Sequence, residues 1–323
     1  MIRLAKRALL ATALSFTVYS DLATAADQQV VVYSSEEMIE FAARKFEEKH
    51  PDIDVKVVLG NSGELAARIT AEAGNPQGDV FWGGGSIELA HPELFRSVGD
   101  LNTGDIGPQF PRPNLKVPIQ TYAGIFIVNH ELLNGEPAPK TWAELADPKW
   151  KGRFYFGNPI TSNAAFTIML TWYQIGGWDL VEKIAANAVI TQGSVDPVRG
   201  VGNGEATIGA GVERASYQWT DGDRVTAVYP EDGMIMMYGD MYILKNAPDE
   251  EAAKTFVNFM LSAEAQTALS EEFKGARPTN KNGKTGAGLV ETSQLKILDL
   301  PGDVATNRQP WIDKWKEIIT AVR

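Results

Sequence analysis

Strand-like and helix-like stretches alternate from Val30 onward, and no other feature of this chain narrows its fold as much. "VVVYSS" (30–35) is a compact run rich in β-branched residues, the pattern of a buried strand. "EEMIEFAARKFEEKHP" follows, with Met38, Ile39, Phe41, Ala42 and Phe46 at helical spacing and Pro51 as the stop. "IDVKVVLG" predicts a second strand, "SGELAARITAEAG" a second helix, and "GDVFWGGG" a third strand that runs into a glycine turn. Strands alternating with helices predict an α/β sheet with crossover connections. Ligands of such sheets sit beyond the carboxyl ends of the strands. Here those ends carry Ser34-Ser35, Asn61-Ser62-Gly63 and Trp82-Gly83-Gly84-Gly85.

The remainder is longer than one core accommodates: 323 residues predict two domains. "LKVPIQTYAGIFIVN" is an extended stretch able to pass from one lobe to another, and "AVYPEDGMIMMYGDMYILKN" reads as a strand crossing back. Between them Thr141 is a cap for a short helix broken by Pro148 and Gly152, and a second β/α region runs to about Val228. "PDEEAAKTFVNFMLSAEAQTALSEE" is strongly periodic, "GARPTNKNGKTGAG" reads as a flexible loop, and "NRQPWIDKWKEIITAV" as a closing amphipathic helix. No internal repeat is present.

Arg3, Lys6 and Arg7, the uncharged run Ala8 to Val18 and the Ala23-Thr24-Ala25 site together predict a secretory signal peptide over 1–25, cut before Ala26. Ala8 to Val18 is far short of the ~20 residues a spanning helix needs. The chain has no cysteine, hence neither a disulfide nor a lipid-modified cysteine. These features predict an exported protein free in the periplasm, without a membrane anchor. The net charge is -11, and the leader removes more positive charge than negative. Nucleic acid and anionic membrane surfaces are therefore poor partners. Local charge decides what small ligand binds.

"GNPITSNAAFTIML" (157–170) carries the sharpest local signal. A turn at Gly157-Asn158-Pro159 leads into Thr161, Ser162 and Asn163 at the start of an apolar helix. A helix start has unpaired N–H groups and a partial positive charge, so such side chains either cap it or grip an anion. Ser34 and Ser35 stand at a comparable junction, and Ser62 at another. Glu36-Glu37 follow the first of these, and carboxylates compete with an anion there, although they suit the cationic part of a zwitterion. Trp82 is either core or a ligand platform. The glycine turn after it can serve geometry alone.

The chain resembles periplasmic solute-binding proteins of ABC importers, in the branch that holds ferric-ion-, hexose-phosphate- and phosphonate-binding proteins. The resemblance rests on "VVYSSEE", "GNSGELAARITAEAGNPQGDVFWGGG", "TWAELADPKWKGR", "GDMYILKNAPDEEAAKTFVNFMLSAEAQ" and "ARP" at Ala276 to Pro278. It implies a type II binding-protein fold of two α/β lobes joined by crossing hinge strands, a ligand held between them, a partner permease, and no catalysis. The lobes implied are 26–118 with 229–275 and 119–228 with 276–323. The ferric branch uses a histidine, a glutamate and two adjacent tyrosines. Aligned on "VVYSSEEM", those positions fall near Glu37, near Gly84, and at Glu213-Arg214 in "GAGVERASYQW", with Tyr217 nearby but unpaired. An arginine repels ferric iron, which wants hard anionic oxygens. Arg214 instead offers a fork for two phosphate oxygens, and Glu213 or Asp240 an acceptor for an amine or sugar hydroxyls. For Arg214 the plain alternative is a surface ion pair, and for Asp240 a pair with Lys245 or a hinge role.

The expected ligand site is therefore Ser34, Ser35, Ser62, Trp82, Thr161, Ser162, Asn163, Glu213, Arg214 and Asp240, with no cofactor and no metal. A monomer that captures a small polar organic anion or zwitterion fits best, with ferric iron as the alternative. An exported hydrolase finds less support. His50, His91 and His130 lack an H-x₃-H spacing, "GNSGE" misses the G-x-S-x-G elbow, and "GVGNGE" is no dinucleotide fingerprint. A sensor or adhesion role on the same fold is a third reading.

Overall fold

The computed structural model of the protein describes residues 28–60, 62–83, 87–110, 114–302, 304 and 307–322. The expected signal peptide, Gly84 and Gly85 lie outside the described residues. The alternation seen in the sequence becomes β1 (Gln28–Ser34), α1 (Ile39–Glu47), β2 (Ile53–Leu59), α2 (Ser62–Ala71), β3 (Val80–Gly83) and the short α3 (Ile87–Ala90). β1 lies between β2 and β3, parallel to both. Ile39, Ala42, Ala43 and Phe46 form the buried face of α1.

β4 (Val117–Asn129) is 13 residues long because it serves two sheets. Its first half pairs antiparallel with β9 (Met236–Ile243), which in turn pairs with β3. Its second half pairs with β7 (Ile208–Val212) and β8 (Val225–Val228). β5 (Phe154–Gly157), α4 (Asn163–Asn187), β6 (Ala188–Thr191) and α5 (Asp196–Gly202) complete the second α/β unit, with β5 parallel to β6 and β7. α6 (Glu213–Tyr217) follows β7 directly. α7 (Glu250–Leu261) and α8 (Ala263–Glu272) divide at Ser262, whose extended backbone and hydroxyl cap start α8. β10 (Arg277–Pro278) and α9 (Gln309–Val322) close the chain.

Among the described residues the two largest hydrophobic cores are separate. One gathers Val30, Trp82, Ile119, Met241 and Ala276, among others. The second gathers Phe126, Trp142, Trp172, Ile235 and Trp315. Thr141 accepts a hydrogen bond from the Glu144 N–H, as a cap should, though the turn it starts is a 3₁₀ helix. α4 bends at Gly176 and Gly177, where the second glycine has φ 64°.

The three chain crossings between these cores meet at one buried ion pair. Arg277 of β10 donates Nε–H to Glu213 Oε2 at 2.7 Å and Nη2–H to Oε1 at 2.6 Å, and neither side chain is exposed. Glu213 Oε2 also accepts from the Ala123 N–H at the middle of β4, and Oε1 from the Tyr229 hydroxyl between β8 and β9. Arg277 Nη1 donates to the Val290 carbonyl. The segment expected as a flexible loop therefore contains a side chain fixed on every side. Thr279 and Asn280 beside it are buried too, both held by Gln266.

Two outcomes are expected. Arg277→Ala leaves the Glu213 carboxylate buried and unpaired and destabilises the fold by about 3–5 kcal/mol in urea unfolding. Gly209→Ala places a Cβ 2.3 Å from the Pro197 carbonyl oxygen, where α5 packs on β7. It costs about 1–3 kcal/mol. Gly74→Ala, with nothing within 4 Å, stays within about 0.5 kcal/mol of wild type.

Candidate functional site

β1 ends on Ser34, whose hydroxyl bonds both the N–H and the carbonyl of Glu36 at 3.0 Å. That turn fixes Glu36 at the carboxyl edge of the first sheet, 6% exposed. Ser35 accepts a hydrogen bond from Ser62 at 2.9 Å, which joins the end of β1 to the start of α2. Gly83 lies against the same Ser35 oxygen; a Cβ there would sit 2.7 Å from it.

From the crossing strand β4, Gln120 and Tyr122 project on one face, two residues apart. Gln120 Nε2 donates to Glu36 Oε2 at 3.2 Å, while its Oε1 is buried and has no partner among the described residues. Gly239 on β9 makes this possible, because a Cβ there would lie 2.7 Å from Gln120 Nε2. Tyr122 is half-buried, and burial and then the Glu36 carboxylate raise its hydroxyl well above the usual range.

The second lobe contributes Arg214, on the first turn of α6. Its guanidinium lies 3.6 Å from Glu36 Oε2 and 3.9 Å from Glu37 Oε2, too far for a hydrogen bond. Among the described residues none hydrogen-bonds to this guanidinium, so its five donors are unspent. It is a quarter exposed, whereas Glu37 is almost wholly so. Burial pushes the Glu36 carboxyl up, with Arg214 and Gln120 opposing.

The structure brings Ser35 with Ser62, and Glu36 with Arg214. Other expected contacts need correcting. Glu213 is not presented to a ligand: it is wholly buried on Arg277, Tyr229 and the Ala123 N–H. Trp82 belongs to the first core and is 0% exposed. Ser34 spends its hydroxyl on Glu36. Asp240 pairs with Lys116 at 2.7 Å, not with Lys245, and the same ammonium holds Glu88 at 2.9 Å.

At the α4 start, Ser162 is the N-cap, accepting from the Ala165 N–H at 3.1 Å. Thr161 donates to the Gln192 carbonyl at 3.2 Å. Asn163 Oδ1 accepts from Arg308, which also lies 4.1 Å over the Phe166 ring. Capping thus uses the side chains and leaves the first N–H groups of the turn for outside partners.

Gln120, Tyr122 and Arg277 escape the sequence reading as site or hinge residues, and Glu36 enters it only as a carboxylate that suits a cationic group. Gln120 and Tyr122 left a faint signal, since both are polar-tipped side chains on one otherwise apolar face of β4. Arg277 left none beyond the "ARP" motif itself. Two tyrosine hydroxyls do meet, Tyr217 and Tyr229 at 3.0 Å. Burial raises both hydroxyls, and the Glu213 carboxylate adds to it. Among the described residues no three His, Cys, Asp or Glu side chains group as a metal set, and no helix is long and apolar enough to cross a membrane.

The family model for bacterial extracellular solute-binding proteins matches residues 42–296. A periplasmic protein of Salmonella typhimurium, named provisionally as 2-aminoethylphosphonate-binding, is 26% identical over 293 residues, 84% of either chain. The periplasmic binding protein AfuA from Actinobacillus pleuropneumoniae, solved with exogenous fructose-6-phosphate bound, is 28% identical with a TM-score of 0.74, over 91% of this chain and 97% of that one. Iron-bound HitA from Pseudomonas aeruginosa has the same TM-score, 0.74, at 21% identity over 91% and 99%, a likeness of fold. The two-lobed architecture expected from the sequence is thus the type II periplasmic binding-protein fold. The chain belongs to the bacterial extracellular solute-binding protein family.

Proposed function

We propose that this protein is the periplasmic substrate-binding component of an ABC importer and that it captures a small anionic or zwitterionic organic solute, of phosphorylated-sugar or phosphonate type, between its lobes. One observation carries the reading. Among the described residues the Arg214 guanidinium makes no hydrogen bond, and it faces the opposite lobe across 3.6 Å. A planar fork of this kind grips two oxygens of a phosphate or phosphonate at once. Closing the lobes excludes water and strengthens each such bond. The α4 start adds an anion-favouring dipole worth about 0.3–1 kcal/mol when exposed, about 2 when partly buried. In this reading Ser35 and Ser62, with the α4 start at Thr161, Ser162 and Asn163, line the ligand from the two lobes.

The relatives support the same class. AfuA was solved with a sugar phosphate, and the Salmonella protein is named for a phosphonate. The protein in this reading is not an enzyme; it works as a monomer, reaches the periplasm through a cleaved leader over 1–25, and hands its solute to a membrane permease. Its lobes divide near 118/119, 228/229 and 275/276. Ferric iron is the weaker alternative, because Glu213-Arg214 occupy the tyrosine positions, and an arginine repels the cation.

A thermal-shift panel of sugar phosphates, aminophosphonates, polyamines and amino acids tests this reading. A ligand at 100 times its Kd stabilises the fold by about 2.7 kcal/mol. Arg214→Ala is expected to abolish the shift given by a phosphorylated or phosphonate ligand; an unchanged shift removes Arg214 from the site. Ferric citrate is expected to leave the protein colourless, and a visible tyrosinate–iron band would reverse the ranking.

A further inference from the structure

We infer that Glu36 and Gln120 form a cation subsite, so that the bound anion also carries an ammonium group and a plain sugar phosphate is disfavoured. This rests on the reading of Arg214 as the anion clamp.

Two carboxylates, Glu36 and Glu37, face one guanidinium, Arg214. An anion drawn to Arg214 alone would stand beside both of them. Glu36 cannot turn away into solvent: it is 6% exposed, and its backbone is pinned by the Ser34 hydroxyl. A buried carboxylate beside a phosphonate repels any ligand that brings no positive charge. A zwitterion removes that penalty. Its phosphonate takes the Arg214 donors, and its ammonium takes the carboxylate that Arg214 releases.

The second observation is independent of charge. Gln120 is 2% exposed, and its amide N–H already points at Glu36. The other end of that amide, Oε1, is a buried acceptor with no donor among the described residues. Buried acceptors are rarely left so. An ammonium has three donors. One placed at Glu36 has donors to spare for the Gln120 oxygen beside it. Gly239 packed against the Gln120 side chain keeps that amide in place. A sugar phosphate offers hydroxyls to the same acceptors, but it leaves the carboxylate charge uncompensated.

Calorimetric titration with 2-aminoethylphosphonate and with propylphosphonate, which replaces the ammonium by a methyl group, separates the cases. The wild type is expected to prefer the amine by about 10- to 100-fold, the range of one or two charged hydrogen bonds. Glu36→Gln should erase most of that preference by weakening the aminophosphonate while leaving propylphosphonate equal or tighter. Gln120→Met, which keeps the carboxylate and removes the orphaned oxygen, should lose part of it. Equal binding of both ligands by the wild type, or equal weakening of both by Glu36→Gln, overturns the cation subsite while the anion reading stands. Binding of a sugar phosphate but of neither phosphonate overturns the cation subsite alone; binding of neither phosphonate and of no sugar phosphate overturns both.

Discussion

The Glu213–Arg277 ion pair is the constraint on which the arrangement of the lobes depends. Three separate crossings of the chain, at Ala123, Tyr229 and Arg277, bring a donor to the same carboxylate. Burying such a pair is costly, and removing one partner is costlier still. What the pair supplies is position. Glu213 is the first residue of α6, so fixing it also fixes where the next residue, Arg214, leaves the second lobe.

Two arginine–glutamate pairs in this protein show opposite uses of the same chemistry. Arg277 and Glu213 meet at 2.6 and 2.7 Å with every oxygen engaged and no exposure, which makes the pair a permanent part of the hinge. Arg214 and Glu36 stand 3.6 Å apart without a hydrogen bond, one on each lobe. The first pair leaves nothing for a ligand. The second leaves five donors on one side and an acceptor on the other, which is what a cleft needs if a solute is to replace the pair. Binding then shifts the balance between open and closed lobes only by as much as the solute prefers the closed form.

Much of the fold was legible in the sequence because its causes are local. β1 and α1 follow from β-branched runs and helical spacing, and the periodic stretch after Pro248 forms α7 and α8, although the sequence reading does not divide it at Ser262. The site was legible only in outline. Arg214 and the serines at the strand ends stand out by type and place. Glu213 reads as a ligand until Arg277, distant in the chain and embedded in a glycine-rich stretch, is found against it. Nothing in residues 275–288 marks one arginine as buried, because the partner that buries it comes from another element. The same holds for Glu36, whose neighbours Gln120 and Arg214 arrive from β4 and α6.

The most direct test is a crystal structure of the protein grown with 2-aminoethylphosphonate. The account expects the ligand between the lobes, with phosphonate oxygens within hydrogen-bond reach of Arg214 and Glu36 released from that guanidinium. A ligand seated on one lobe alone, with Arg214 still against Glu36 and Glu37, would contradict it.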